Sequence, residues 1–402
     1  MTDDLGLFGD TTDAAERADG RRERRQARER RRRFVVLSTV LAVLVLAGAG
    51  VFLGVQKLQE LREVPDFPGA GGAAAIVQVE EGQSLSAIGA TLTRRNVVAS
   101  VRAFTAAAAA DPRIKAVQPG YYQLRERMSG SAAVARLQEP AARVGHLQIR
   151  GGMQLDDVGL PDGKTAPGLL TEISRASCAV NGAVSTCVSA DDLRTAMGQT
   201  DPAQLDIPGW ATDPVARVES GRRLEGLLVP GTYDVRPGSS AAELLRQVTA
   251  TSMARLLAAG FPASAAATGY SPYEVLVIAS VIEREAITAD FGRVSRVIYN
   301  RLTAGMPLQM DSTINYLLDR PEVRTSDADR ARPGPYNTYL NGGLPASPIG
   351  SPGAAALLAA LNPEPGPWRY FVKCQQDGTS CFSVTIDEHG AAVRDAVARG
   401  VF

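Results

Sequence analysis

The sequence predicts an α+β protein in which a single N-terminal transmembrane helix is followed by a small α/β module and a larger α+β domain. The transmembrane helix is predicted by Phe34 to Gly54, a stretch of 21 residues without a charge, which is long enough to cross the roughly 30 Å hydrocarbon core of a bilayer. Strand and helix patterns then alternate, which predicts a module over residues 74–143 and a domain over residues 144–402. Both are long enough to bury a core of their own.

The membrane topology follows from the arginines that precede this stretch. Residues 21–33 hold nine arginines and two glutamates, and such a cluster stays on the cytoplasmic side. We therefore expect residues 1–33 to be a basic cytoplasmic tail, residues 34–54 a single span of the cytoplasmic membrane, and residues 55–73 a linker on the outside. A cleaved signal peptide is the alternative, which is disfavoured because the apolar run exceeds the usual signal core of about 7–15 residues.

The arginine cluster also has the composition of a nucleic-acid patch. It contains no aromatic residue and adjoins the predicted span, so membrane topology and contact with anionic lipid explain it more simply. The whole chain carries 43 basic and 43 acidic residues, a balance that gives no field to recruit a polyanion. We therefore expect no nucleic-acid partner.

The four cysteines all lie beyond the predicted span and form two local pairs, Cys178 with Cys187 and Cys374 with Cys381. Short disulfide-closed loops are typical of exported proteins, which agrees with a location outside the membrane. Four cysteines allow three pairings, and four reduced thiols are the alternative that an outside location disfavours.

The small module begins with IVQVEEGQSLSAIG, which predicts a strand, a turn at Gly82 and a helix that starts at Ser84. A second helix is expected over Val101–Ala110, and GYYQLRERMSGSAAVARL predicts a further strand and helix. This strand–helix–helix–strand order, with EEGQSLSAIG at its start, resembles a LysM-like module. The resemblance implies binding of glycan strands, and a common small structural unit without that role is the alternative.

In the larger domain, HLQIRGGMQLDDVG predicts a strand followed by the start of a helix, and the loop from Cys178 to Cys187 predicts a hairpin or an insertion. LEGLLVPGTYDV indicates a strand and a turn, and SSAAELLRQVTATSMARLLAA a helix capped by Ser239 or Ser240. The segments YFVKC and CFSVTI predict a final strand pair ahead of a terminal helix.

The clearest helix begins at Ser271, which is a good N-cap and forms a capping box with Glu274. Apolar residues then recur at helical spacing and predict one buried stripe, made of Val275, Ile278, Ala279, Ile282 and Ala286. Glu283 lies about 60° from the centre of that stripe, Glu285 lies on the other flank, and Arg284 points away. A carboxyl group at the edge of an apolar face is a candidate general acid. A charge at the boundary of an ordinary amphipathic helix is the alternative.

Several chemistries are excluded by the absence of their motifs. The chain has no phosphate-binding loop of the form G-x-x-x-x-G-K-[ST], no H-E-x-x-H zinc helix and no G-x-S-x-G nucleophile elbow. Its two histidines, His146 and His389, are far apart in sequence. We therefore expect neither a histidine-rich metal site nor a serine triad, and no cofactor.

The segments around and after the Ser271 helix read VIASVIEREA, VIYNRLTAGMPLQMDSTINY and PYNTYLNGGLPASPIGSPG, with LEGLLVPGTYDV upstream. They resemble the catalytic domain of the endolytic, membrane-anchored murein transglycosylases, the MltG or YceG-like family. In that family comparable segments read A-S-[IV]-[IV]-E-[KR]-E, then N-R-L with G-M-x-L-Q-x-D-x-T, then Y-N-T-Y with G-L-P-P. The resemblance covers roughly residues 75–402, and residues 144–402 correspond to the catalytic domain.

The resemblance implies cleavage of the β-1,4 bond between N-acetylmuramic acid and N-acetylglucosamine in nascent peptidoglycan strands, which leaves 1,6-anhydro ends. Glu283 matches the family's catalytic glutamate and would act first as general acid and then as base. The residues expected to line the cleft and bind the sugars are Gln309, Asp311 and Thr313 on one wall and Tyr336, Asn337 and Thr338 opposite. Peptidoglycan synthases are the protein partners that the resemblance implies.

Two other functions stay open at this point. One is a muramidase-type hydrolase, in which Asp311 would help to activate a water molecule. The other is a non-catalytic scaffold that binds the cell wall and in which Glu283 has become structural.

Overall fold

The computed structural model describes Arg31 and residues 34–55, 64–160, 162–181, 184–318 and 325–401. The chain divides into two units, residues 1–65 and 66–402. In the first unit, helix α1 (Phe34–Val55) has 22 residues and a mean hydropathy of 2.6. It is long and apolar enough to cross a membrane, as predicted. Apart from Arg31, the predicted basic tail lies outside the described residues, and so do residues 56–63 of the predicted linker.

The second unit starts with a three-stranded antiparallel sheet in the order β1–β2–β3. Its strands and helices are, in chain order, β1 (Ala74–Val79), α2 (Leu85–Arg94), α3 (Val101–Ala110), β2 (Gly120–Arg125), α4 (Gly130–Leu137) and β3 (Arg143–Val144). Ser84, Ser100 and Ser129 cap the three helices by accepting a backbone N–H. The helices cover one face of the sheet, with Phe104 and Leu124 in a core that is separate from that of the larger domain. The predicted order of elements is confirmed, whereas the LysM-like resemblance stays a prediction.

The larger domain is mostly helical and carries four small antiparallel sheets of two strands each among the described residues. Its helices are α5 (Leu169–Ala176), α6 (Ala190–Gln199), α7 (Gly209–Ala216), α8 (Ala241–Ala258), α9 (Pro272–Glu285), α10 (Phe291–Thr303), α11 (Asp311–Asn315), α12 (Asp327–Arg330), α13 (Ala354–Leu361) and α14 (Ile386–Ala398). Its strand pairs are β4 (His146–Ile149) with β9 (Gly231–Asp234), β5 (Val158–Gly159) with β6 (Thr165–Ala166), β7 (Ala179–Asn181) with β8 (Val184–Thr186), and β10 (Tyr370–Lys373) with β11 (Ser380–Ser383). Mixed helix and strand content is therefore confirmed.

Helix α9 forms the centre of this domain. The predicted capping box is present, because Ser271 Oγ accepts the Glu274 N–H and the Glu274 carboxylate accepts the Ser271 N–H. Val275, Ile278, Ala279 and Ile282 of the predicted stripe are buried, whereas Ala286 is half-buried and is the C-cap after the helix; the opposite face is buried too, including Val277 and Val281. The helix is therefore buried on more than the one predicted stripe. Helices α7, α10, α11 and α13 all pack against α9, so it needs apolar residues on every side.

Both predicted disulfide pairs are present. Cys178 and Cys187 are joined across the β7–β8 hairpin, and Cys374 and Cys381 across the β10–β11 hairpin. The predicted final strand pair, the terminal helix and the cap of α8 by Ser240 are also confirmed.

The segment after β4 differs from its prediction. Residues 150–157 form a turn and an irregular run instead of the start of a helix. The backbone there bonds to a distant segment, since Gly152 N–H donates to Ser351 O at 2.9 Å and Ser351 N–H donates to Met153 O at 2.7 Å. Tertiary pairing has replaced the local i to i−4 bonds of a helix.

Candidate active site

Glu283 lies in the last turn of α9 and is half-buried. Its Oε2 accepts the backbone N–H of Gly353 at 2.9 Å. Gly353 is the N-cap of α13, so the positive end of that helix adjoins the carboxyl group. The hydrogen bond orients the Glu283 side chain, and the helix end places partial positive charge beside its carboxyl group.

A second backbone segment closes on the other side of the carboxyl group. A Cβ atom added to Gly151 would lie 2.2 Å from Glu283 Oε1, and one added to Gly353 would lie 3.0 Å from Oε2. Because glycine has no Cβ, the backbone can approach the Glu283 carboxyl group closely at both positions without displacing it. We call Gly151, Gly152 and Gly353 the glycine notch.

The two sides of the glycine notch are bonded to each other and to α9. Gly152 and Ser351 pair through their backbones, as described above, and Ser351 Oγ donates to Leu228 O at 2.6 Å. Arg284 Nη1 donates to Gly152 O at 3.1 Å. Arg284 was expected to point away from the core, but it is half-buried and holds the segment that covers its neighbour Glu283.

Glu285 has a different task from Glu283. Its Oε1 accepts the backbone N–H of Ser312 at 3.0 Å, which supplies an acceptor at the start of the short helix α11. Burial raises the pKa of Glu285 above its ordinary value, while the hydrogen bond from Ser312 opposes that shift. Glu285 therefore connects α9 to the segment that carries Asp311 and Thr313.

The predicted wall residue Asp311 begins α11 and is half-buried. Its Oδ1 accepts hydrogen bonds from Thr325 Oγ1 at 2.7 Å and from Tyr339 Oη at 2.6 Å. The Arg330 guanidinium lies 3.5 Å from Oδ2. Gln309 is exposed and has a φ of 50°, a left-handed conformation that is uncommon for a residue other than glycine. Such backbone strain often accompanies a functional site.

The other four predicted sugar-binding residues are buried: Thr313, Tyr336, Asn337 and Thr338. Thr313 Oγ1 donates to Met310 O at 2.7 Å and lies 2.9 Å from Thr338 Oγ1. Tyr336 Oη bonds to Ser347 Oγ at 2.7 Å, and Asn337 Nδ2 donates to two backbone carbonyl groups. Their described contacts thus lie within the protein and hold the loops beside Gln309 together. That they bind sugar stays a prediction.

Glu225 is among the buried acids that sequence reasoning missed. Glu225, in the segment LEGLLVPGTYDV, is 0% exposed. Its Oε2 accepts hydrogen bonds from Tyr316 Oη at 2.8 Å and from the Leu155 N–H at 3.2 Å. Burial raises its pKa to about 7, against the lowering effect of these two bonds. The available signal was an acid among the apolar residues of LEGLLV, and the sequence analysis predicted no role for it.

Two surface cavities lie away from Glu283. One of about 490 Å³ is in the small module beside Arg113 and Arg143, and one of about 470 Å³ is at the N-terminal end of α9 beside Tyr270. Within the described ranges, no three His, Cys, Asp or Glu side chains converge as metal ligands would.

The fold and this site define an α+β protein whose candidate chemistry is centred on one carboxyl group, held by backbone on a buried central helix. The particular family follows from comparison. Residues 77–395 match the YceG-like family, and the chain belongs to that family.

Named relatives agree with this assignment. An endolytic murein transglycosylase of Bacillus subtilis (strain 168) is 27% identical over 319 residues, which is 79% of this chain and 83% of that protein. One of Streptococcus pneumoniae (strain D39) is 25% identical over 367 residues, 89% of this chain and 64% of that protein. The crystal structure of a YceG-like protein from Listeria monocytogenes is similar with a TM-score of 0.52 and 25% identity, covering 79% of this chain and 98% of that one.

Proposed function

We propose that this protein is an endolytic murein transglycosylase that cleaves the β-1,4 bond between N-acetylmuramic acid and N-acetylglucosamine within peptidoglycan strands. The family and the names of two relatives support the reaction class. The observation that carries the proposed site is the Glu283 carboxyl group, clamped between Gly151 and the N–H of Gly353.

In the proposed mechanism Glu283 acts twice. As the neutral acid it donates its proton to the glycosidic oxygen, which leaves with the N-acetylglucosamine part of the strand. The resulting carboxylate then accepts the proton of the muramic acid C6 hydroxyl, whose oxygen bonds to the anomeric carbon and closes the 1,6-anhydro ring. The Gly353 N–H and the end of α13 stabilise the negative charge that exists between the two steps. Glu283 ends the cycle protonated, as it began.

The contacts of the neighbouring acids favour this mechanism over hydrolysis. A hydrolase requires a second carboxylate that acts as nucleophile or activates water. Asp311, the candidate for that role, already accepts hydrogen bonds from two hydroxyl groups and lies beside the Arg330 guanidinium. Glu285 is bonded to Ser312, and Glu225 is fully buried.

The binding surface is proposed on the same grounds. Gln309, exposed and strained, and Asp311, half-buried beside Tyr339, are the side chains best placed to contact the sugars. We propose a supporting role for the four buried residues, which hold Gln309 and Asp311 in place and do not touch the sugar themselves: Thr313, Tyr336, Asn337 and Thr338.

Membrane anchoring by α1, with the N-terminus inside and the catalytic domain outside, remains part of the proposal. The apolar length of α1 supports it, and so do the arginines that precede it. Outside the membrane the enzyme would meet nascent glycan strands and the synthases that make them.

The test is mass spectrometry of peptidoglycan digested by the wild-type protein and by Glu283→Gln. The wild type should release muropeptides with anhydro ends, and Glu283→Gln should lose cleavage by at least about a hundredfold, because general acid–base catalysis contributes roughly 10²–10⁴-fold. Glu274→Gln is the matched control on the same helix, since glutamine preserves a capping box, and it should cleave like the wild type. Reducing ends from the wild type would favour a muramidase, and equal cleavage by Glu283→Gln would refute the role of Glu283. No cleavage by either protein would favour a wall-binding scaffold.

A further inference from the structure

Glu225 is a fully buried acid that the proposed mechanism does not use. One of its oxygen atoms, Oε2, accepts both the Tyr316 hydroxyl and the Leu155 N–H. The other, Oε1, is buried and has no hydrogen-bond partner among the described residues. Burying a carboxyl group that is only half satisfied costs free energy, so a leucine or methionine would serve better if packing were the only requirement.

The two partners of Glu225 belong to two different segments of the candidate site. Leu155 lies in the irregular segment of residues 150–157, which includes Gly151 and Gly152 and forms one side of the glycine notch. Tyr316 directly follows α11, the helix that begins with Asp311. One oxygen atom of Glu225 therefore connects the segment over Glu283 to the segment that carries the proposed sugar-binding wall.

The bond to Tyr316 has a defined direction, because a third group fixes the hydroxyl. Arg222 Nη1 donates to Tyr316 Oη at 3.1 Å, which leaves the hydroxyl hydrogen for Glu225. Arg222 is itself paired with Asp156 Oδ2 at 2.9 Å, and Asp156 directly follows Leu155. The chain of contacts thus closes on itself and spans both segments.

From this geometry we propose that Glu225 is a positioning residue, which holds the glycine notch and the α11 wall at a fixed separation around Glu283. This inference rests on the proposed function, because it treats Glu283 as the catalytic acid. The separation of the two segments that it describes does not depend on which product the enzyme forms. Without the bridge, the segment over Glu283 and the α11 segment can each move while the hydrophobic core stays folded.

The test compares Glu225→Met, which fills the site without an acceptor, with Glu225→Gln, whose carbonyl oxygen can accept both hydrogen bonds. Glu225→Met should stay folded, with a melting temperature at or above that of the wild type. Its kcat for glycan cleavage should fall by about tenfold or more, as expected for a misplaced reacting group, while KM changes far less. Glu225→Gln should restore most of kcat. Glu243→Met, in the partly exposed first turn of α8, is the control and should match the wild type in kcat and KM.

Amide hydrogen exchange provides a readout that needs no activity. In Glu225→Met, exchange should accelerate in residues 150–156 and 311–317, and it should not change there in Glu243→Met. The proposal is refuted if Glu225→Met is folded, has a kcat within about twofold of the wild type and shows unchanged amide exchange. It is also refuted if Glu225→Gln loses as much kcat as Glu225→Met does. If Glu225→Met does not fold, Tyr316→Phe decides, since a folded Tyr316→Phe with wild-type kcat and exchange also refutes it. Failure of the proposed function alone would instead appear in the products of the wild type and of Glu283→Gln.

Discussion

The Gly151→Ala substitution tests the glycine notch most directly. The new methyl group would lie 2.2 Å from Glu283 Oε1 and 2.9 Å from Glu283 Cδ, whereas an unstrained contact needs well over 3 Å. The atom it meets is the end of a side chain and not backbone, so Glu283 can rotate away. To reach an ordinary separation, Oε1 has to move by about 1 Å.

This movement should cost activity much more than stability. A displacement of about 1 Å of a reacting group can reduce the rate about a hundredfold, which is an increase of roughly 2.7 kcal/mol in the activation free energy. Gly151 does not have a left-handed backbone, so alanine is allowed there and reduces the entropy of the unfolded chain. We expect the free energy of unfolding to change by less than about 1 kcal/mol.

The assay measures the initial rate of release of anhydro-ended muropeptides, together with urea unfolding of the same preparation. Gly209→Ala is the control, because an added Cβ there has no atom within 4 Å. Gly353→Ala should give an intermediate loss, since its Cβ would lie 3.0 Å from Oε2. If Gly151→Ala is folded and cleaves glycan within about twofold of the wild-type rate, the clamped carboxyl group is not the catalytic one.

Two further predictions concern the buried acids. Burial raises the pKa of Glu225 from 4.5 to about 7, so the free energy of unfolding is highest below pH 4.5 and falls as the pH rises through 7, because the unfolded chain ionises this group more readily than the folded protein does. At 1.36 kcal/mol per pKa unit this change amounts to roughly 3 kcal/mol. When urea unfolding is measured from pH 4.5 to 8, the free energy of unfolding of Glu225→Gln should therefore depend less on pH than that of the wild type. Parallel pH dependences of the two proteins would contradict the raised pKa of Glu225. Glu285→Ala removes the acceptor of the Ser312 N–H and should lower the free energy of unfolding by about 1–2 kcal/mol, with Glu285→Gln losing less. Equal unfolding of Glu285→Ala and the wild type would show that this contact contributes nothing.

The elements that sequence patterns predicted well are those whose signals are local. The capping box of Ser271 and Glu274 involves residues three apart, and it is present as expected. The second helix of the small module, Val101–Ala110, has the predicted bounds. Both disulfides join cysteines separated by fewer than ten residues. In each case the interaction is decided within a short stretch of chain, where periodicity and capping apply.

The site is different because its contacts are long-range. Gly151 and Gly353 are far from Glu283 in sequence, and a pair of glycines after a strand is an ordinary turn signal. Long-range contacts also explain why the helix predicted after β4 is absent, since pairing with Ser351 determines the backbone conformation there. Glu225 was missed for the same reason, since its partners Leu155 and Tyr316 are 70 and 91 residues away.

The last turn of α9 explains how one short motif can organise a site assembled from distant segments. Consecutive helical residues project about 100° apart, so Glu283, Arg284 and Glu285 reach three different neighbours. Glu283 enters the glycine notch, Arg284 binds the carbonyl group of Gly152, and Glu285 binds the N–H of Ser312. Because α9 is packed on all sides, these three side chains start from a rigid base. The catalytic acid that we propose is therefore positioned by its own sequence neighbours, which hold the segments on either side of it.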